Sequence, residues 1–101
     1  MAGFVQIVEF NTSRIDQIQA LGEQMRAQRA PGDEWSVRRA TFTADRDRPG
    51  HYLSVIEFDS YESAMENSNR PETTQFAARM AELCDGPPTF HNLDVMETWE
   101  A

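Results

Sequence analysis

Gln6 and Ser54 are single polar residues set inside the apolar runs FVQIVEF (4–10) and HYLSVIEF (51–58). Burying an amide or a hydroxyl in such company costs ~1–3 kcal/mol unless it is hydrogen-bonded. The two residues therefore either line a pocket and hold a polar group of a ligand, or bond each other or a buried water. Glu9 and Glu57 lie near the ends of the same runs. Two carboxylates brought together share a proton, and the one with the raised pKa can serve as a general acid or base. At strand ends beside helix caps they can equally accept backbone N–H bonds or face solvent. His91 alternates with Leu93 and Val95, so it is a candidate pocket base or proton shuttle near neutral pH, with a hydrogen-bonded structural histidine as the other reading. His51 follows a Pro-Gly turn and reads as an exposed strand end. Trp35 and Tyr52 offer flat apolar surface to a planar aromatic ligand, or else belong to the core. Arg38 and Arg39 are adjacent on a strand and point to opposite faces, where one of them could hold an anionic group. No His-x-x-x-His, Glu-x-x-His or cysteine cluster has metal-ligand spacing, and no glycine-rich phosphate loop is present, so no metal is expected.

These residues need a scaffold, and the hydrophobic pattern supplies one. Strands are predicted at 4–10, 35–44, 51–58 and 89–100. A helix of about four turns follows the first strand, with Ile15, Ile18, Leu21 and Met25 on one stripe. Asn11, Thr12 and Ser13 are its candidate caps, with Asp16 completing a capping box after Ser13, and APGDE (30–34) ends it. DRDRPG (45–50) is a turn joining the second and third strands. A second helical stretch, 60–84, is expected to start at Asp59 and to break at NSNRPE (67–72), because Pro71 disfavours the helical conformation at Arg70 and suits the first turn of a new helix. Asn67 sits at that break, placed either to cap the second segment or to point a donor and an acceptor into a gap beneath the kink, opposite Gln6 or His91. Gly86 and the two prolines behind it close the stretch.

The order is β-α-β-β-α-β, the split βαβ or ferredoxin-like arrangement, in one α+β domain covering residues 1–101. The expected architecture is a four-stranded antiparallel sheet with helices on one face. Its first and third strands are central neighbours. They are expected to run parallel, which sets Glu9 near Glu57, Gln6 near Ser54 and Phe10 near Phe58. Alternation also makes both faces of these central strands apolar: Phe4, Val8 and Phe10 on one side, Val5 and Ile7 on the other. Helices cover one face, so the second is expected to bury against an identical sheet in a homodimer.

Seventeen acids against nine bases give a formal charge of −8. That excludes the basic face of a nucleic-acid binder and docking on an anionic membrane. The chain has no apolar run near ~20 residues and no basic leader before its first strand, which predicts a cytoplasmic protein. The single cysteine, Cys84, reads as a small buried helix residue in a reducing compartment.

A sheet of this order stacked on its twofold mate is similar to the dimeric α/β-barrel superfamily. The stretch HYLSVIEFDSYESAMENS resembles the antibiotic-biosynthesis-monooxygenase group within it, through the strand end Ile56-Glu57-Phe58 followed by a capped helix at Ser60-Tyr61. Members often carry a histidine in that helix, where this chain has Asn67. The resemblance implies a cofactor-independent oxygenase or a related enzyme acting on a planar aromatic or polyketide-like molecule, with Gln6, Trp35, Tyr52, Ser54, Asn67 and His91 around the site. Haem-binding relatives look to that histidine for the iron. With asparagine there, and no histidine between His51 and His91, neither haem nor any other cofactor is expected. A non-enzymatic dimer that binds a small molecule fits the missing acid–base motif equally well.

Overall fold

In the computed structural model, residues 3–28 and 36–101 are described; Trp35 and the stretch expected to end the first helix lie outside them. Strand β1 spans Phe4–Asn11. Helix α1, Ile15–Ala27, buries Ile18 and Leu21 and begins at Arg14 with no side-chain cap. The candidate cap Thr12 is used otherwise. Its side chain is buried, its hydroxyl donates to the Leu83 carbonyl at 2.7 Å, and its oxygen accepts the Arg14 N–H at 2.9 Å. The expected capping box is thus replaced by a clamp between two distant segments.

Strands β2 (Val37–Ala44) and β3 (His51–Phe58) form a hairpin with an irregularity between Val37 and Arg39. Asp45 organises the turn: its carboxylate accepts the Asp47 N–H at 3.0 Å and the Arg48 guanidinium at 2.9 Å. Gly50 closes the turn at φ +83, a conformation that a side chain disfavours. Helix α2 (Tyr61–Ser68) is capped by Ser60, whose Oγ accepts the Ser63 N–H at 3.1 Å. Asp59, expected as the cap, instead takes the Arg38 guanidinium at 2.7 Å. The predicted break is present. Arg70 is extended (φ −72, ψ 138), as a residue before proline must be, and helix α3 runs Pro71–Leu83. Strand β4 is Thr89–Asp94, shorter than predicted, because β1 ends at Phe4 and that residue pairs with Asp94.

The sheet order is β2-β3-β1-β4 and every neighbouring pair is antiparallel. This corrects the expected parallel pairing of β1 with β3. Each β-α-β crossover returns the chain parallel to its start but two strands away, and the strand in the gap runs the other way: β3 between β1 and β2, and β1 between β3 and β4. Phe4 faces Phe58, Gln6 faces Ile56 and Glu9 faces Leu53. Glu9 and Glu57 therefore lie at opposite ends of the sheet and cannot share a proton.

The helices pack on one face in two clusters that meet at Ile56. Val8 and Phe10 meet Ile18, Leu21, Met80 and Cys84. Phe4 and Phe58 meet Ala64, with Val37, Ile56 and Met65 packed around them. Burial and then the charge of Asp85 raise the Cys84 thiol pKa, which suits an inert core residue. On the other face, Val5, Ile7, Leu53 and Val55 are half-buried with no element over them among the described residues. No helix among those residues is long and apolar enough to cross a membrane.

Candidate functional site

Register fixes what faces the helices. One row across the sheet reads Ala40, Ile56, Gln6, Asn92, and the next reads Phe42, Ser54, Val8, Phe90. Gln6 and Ser54 are thus on the same face but one row apart, with Ile56 and Val8 as their direct neighbours. Gln6 does not bond Ser54. Its Nε2 donates to Asn92 Oδ1 at 3.1 Å. The amide pair keeps the Gln6 carbonyl oxygen and the Asn92 N–H groups for a ligand. This polar strip, the amide pair, lies on the β4 side of Ile56, which joins the two apolar clusters, so polar groups interrupt the helix-side face toward its β4 edge.

Aromatic rings flank the strip. Phe10, Phe42 and Tyr52 gather with ring centroids 5.7–6.0 Å apart, the Phe10 and Phe42 planes being 7° from parallel. Phe42 remains 40% exposed and Phe90, beside Asn92 on the edge strand, 54%. The helices leave the edges of this face open. Asn67 is half-buried in the last turn of α2, three residues after Ala64 and so on the sheet-facing side of the helix. It does not cap α3, whose N-cap is Arg70, and its side chain makes no hydrogen bond among the described residues. Gln6, Tyr52, Ser54 and Asn67 therefore belong to the helix side, and Asn92 joins them. In the sequence, Asn92 is a polar position alternating between Phe90 and Asp94, a pattern that an exposed strand face also produces.

His91 is not part of this group. It pairs with Ile7 on the opposite face, so it cannot stand across from Asn67. There it meets Glu9: His91 Nε2 is 3.1 Å from Glu9 Oε1, and His51 Nε2 is 2.8 Å from Glu9 Oε2. His51, expected to be exposed, is 7% exposed, and its Nδ1 lies 2.7 Å from Asn11 Oδ1. Arg48 approaches Glu9 at 3.9 Å. Hydrogen bonds from His91 first and His51 second hold the Glu9 carboxyl below its ordinary value of 4.5. A depressed carboxylate adds stability that is present above its unfolded pKa and lost as pH falls through the folded one. His91→Ala is thus expected to raise the Glu9 pKa toward 4.5 in a carbon-detected NMR titration and to move acid unfolding to higher pH. An unchanged titration would show that the His91 contact contributes nothing. No metal-ligand group of three His, Cys, Asp or Glu side chains exists among the described residues.

One cavity that the structure outlines lies away from the kinked helix. That cavity, about 350 Å³, is an open groove between α1 and α3, lined by Gln17, Leu21, Gln24, Arg79, Glu82 and Leu83. Its rim is solvated and carries none of the strip residues.

Fold and site together define a ferredoxin-like βαββαβ domain whose helix-side sheet face carries a polar strip between aromatic rings. Its architecture is that of antibiotic-biosynthesis-monooxygenase structures. A conserved protein of Methanosarcina mazei superposes with a TM-score of 0.78 at 8% identity, covering 93% of each chain. An asparagine-to-alanine variant of SnoaB, a cofactor-independent oxygenase from Streptomyces nogalater, gives 0.77 at 13% identity over 97% of each chain. A Deinococcus radiodurans protein provisionally assigned to the antibiotic biosynthesis monooxygenases gives 0.74 at 16% over 97% of each. No protein-family model and no curated protein matches the chain.

Proposed function

We propose that the protein is a cofactor-independent oxygenase acting on a planar aromatic small molecule bound at the helix-side strip. The observation that supports this reading is the amide pair Gln6–Asn92 on the otherwise apolar helix-side face, with the exposed rings of Phe42 and Phe90 in the neighbouring row. A fused-ring phenol would stack on Phe42 and Tyr52 and direct its oxygens to the amides of Gln6, Asn92 and Asn67 and to the Ser54 hydroxyl. Donors placed there stabilise the phenolate or enolate that must form before oxygen reacts. The substrate itself supplies the electrons. A ring CH₂ loses a proton to solvent water, the carbanion adds O₂, the peroxide anion takes a proton back from solvent, and the resulting hydroperoxide loses water to leave a carbonyl. One oxygen atom enters the product and the other leaves as water, so no external reductant is needed. The SnoaB likeness supports this reading, because that protein is described as a cofactor-independent oxygenase.

The second reading, a binding module without catalysis, is supported by the lack of an imidazole or carboxylate in the Gln6 and Ser54 rows. An oxygen electrode separates the two. With a polycyclic phenol carrying an enolisable ring CH₂, the oxygenase consumes one O₂ per carbonyl formed. Thermal stabilisation by the same compound with no O₂ uptake favours the binding module. Asn67→Ala is expected to weaken ligand stabilisation at least tenfold while the melting temperature of the free protein barely moves, since Asn67 caps nothing. A variant that melts earlier and still binds would remove Asn67 from the site.

The assembly in this reading is a homodimer joined through the uncovered sheet face. Burying that face against its mate is consistent with a stable interface of ~1,600 Å².

A further inference from the structure

We propose that the Gln6–Asn92 amide pair turns over as a unit, accepting the O–H of a bound phenol and donating to the phenolate once the proton has left; the proposal rests on the site reading above. Gln6 Nε2 donates to Asn92 Oδ1 at 3.1 Å, and neither amide has another hydrogen-bond partner among the described residues. Half a turn about the last side-chain bond exchanges the oxygen and the NH₂ of a primary amide, which are nearly equal in size. When both amides turn, Asn92 Nδ2 donates to Gln6 Oε1 and the mutual bond is kept. No third group ties down either orientation. Asn11 shows the contrast: its Oδ1 lies 2.7 Å from His51 Nδ1, and His51 Nε2 lies 2.8 Å from Glu9, so that amide is held.

The two orientations offer a ligand opposite chemistry. As the pair stands, the Gln6 position accepts through Oε1 and the Asn92 position donates. Turned over, the Gln6 position donates and the Asn92 position accepts. A neutral hydroxyl beside Gln6 suits the first state. Its phenolate oxygen is repelled by Oε1 and suits the second, where the hydrogen bonds to a charged oxygen are roughly twice as strong as neutral ones. The proton passes to solvent, and no side chain has to change its charge. The surroundings leave this task to the amides. In the Gln6 row and the rows on either side of it, Asp94 is the one ionisable side chain, two residues beyond Asn92 on β4. The helices turn Leu21, Ala64, Phe76 and Met80 to this face, none of them titratable. Glu9, His51 and His91 are on the opposite face. A carboxylate at 94 opposes an anion, so the groups that favour one are the N–H donors of the pair.

The probe is 7-hydroxycoumarin, a planar fused-ring phenol with no enolisable ring CH₂, so it binds without turnover. It ionises near neutral pH, and its two forms absorb at different wavelengths. Affinity is measured on the full chain by fluorescence at a pH below and a pH above that ionisation. Expected is binding of both forms, the anion no more weakly than the neutral phenol. Asn92→Asp, combined with Asp94→Asn to keep the charge of the face unchanged, leaves at 92 a carboxylate that only accepts. Gln6 Nε2 then stays turned to it and Oε1 to the ligand. The anion is expected to bind this double variant at least tenfold more weakly, with the loss falling on the anion alone. A parent that binds one form only, or a double variant that keeps the anion or loses both forms equally, overturns the turning pair and leaves the site standing. A parent that binds neither form overturns both. Should the double variant fail to fold, as judged by circular dichroism, Gln6→Glu with Asp94→Asn makes the same test from the other partner, since a carboxylate at 6 accepts from Asn92 and offers the ligand acceptors only; the same outcomes apply.

Discussion

Phe58→Ala is expected to lower folding stability by about 3–5 kcal/mol. The ring is 1% exposed at the end of a central strand, opposite Phe4, and Ala64, Val37, Ile56 and Met65 close around the pair. Neighbours anchored on β1, β2, β3 and α2 cannot all collapse into the space, so most of the cavity persists. The effect is large against the ~5–15 kcal/mol that a domain of this kind has in total. Urea unfolding followed by circular dichroism measures it. A loss under ~1 kcal/mol would mean that the Ala64 cluster repacks freely, contrary to the way its walls are built.

The second large effect concerns assembly. Ile7→Asp is expected to turn the proposed dimer into a folded monomer, with self-association weakened at least ~100-fold, or ~2.7 kcal/mol. Ile7 is at the centre of the uncovered face, between Val55 and His91. In a single chain it is only half-buried, so a carboxylate there stays hydrated and the fold survives. Between two sheets the same carboxylate would lose its water, with His91 as its only ionisable neighbour in the row among the described residues, and that cost falls on the dimer alone. Sedimentation velocity decides the matter. A variant as dimeric as the parent would mean that association, if present, uses another surface.

The features that the sequence predicts well are those set by local chemistry. The run His51–Phe58 is a strand to the residue, because a Pro-Gly turn bounds it on one side and a serine cap on the other. Pro71 breaks the helix where it must. What failed was non-local. Alternation puts Glu9 and Glu57 on one face, but their expected pairing ran β1 and β3 parallel against the antiparallel sheet that the element order itself implies, and strand direction alone sends them to opposite ends. Thr12 is a good cap by type, but its oxygen accepts the Arg14 N–H ahead of the helix while its hydroxyl donates to Leu83, 71 residues away. His51 looked exposed because nothing nearby in sequence announces Asn11 and Glu9 as its partners. The site was half legible. Gln6, Tyr52, Ser54 and Asn67 stand on the helix side as read, whereas His91 belongs to the far face and Asn92 gains meaning only once Gln6 is found beside it.

The place of β1 at the centre of the sheet also sets an order of events during synthesis. The β2–β3 hairpin closes locally, and β3 can dock on β1 once residue 58 has emerged. The other edge of β1 has to wait for β4, whose partners come from residues 89–94. Until then the first strand made exposes a row of unpaired N–H and C=O groups beside an apolar surface, which is a template for pairing with another nascent chain. Contacts of such long sequence separation also form slowly. Chains whose translation pauses between α3 and β4 are therefore the ones most exposed to aggregation, and the ones for which a ribosome-bound chaperone has the most to cover.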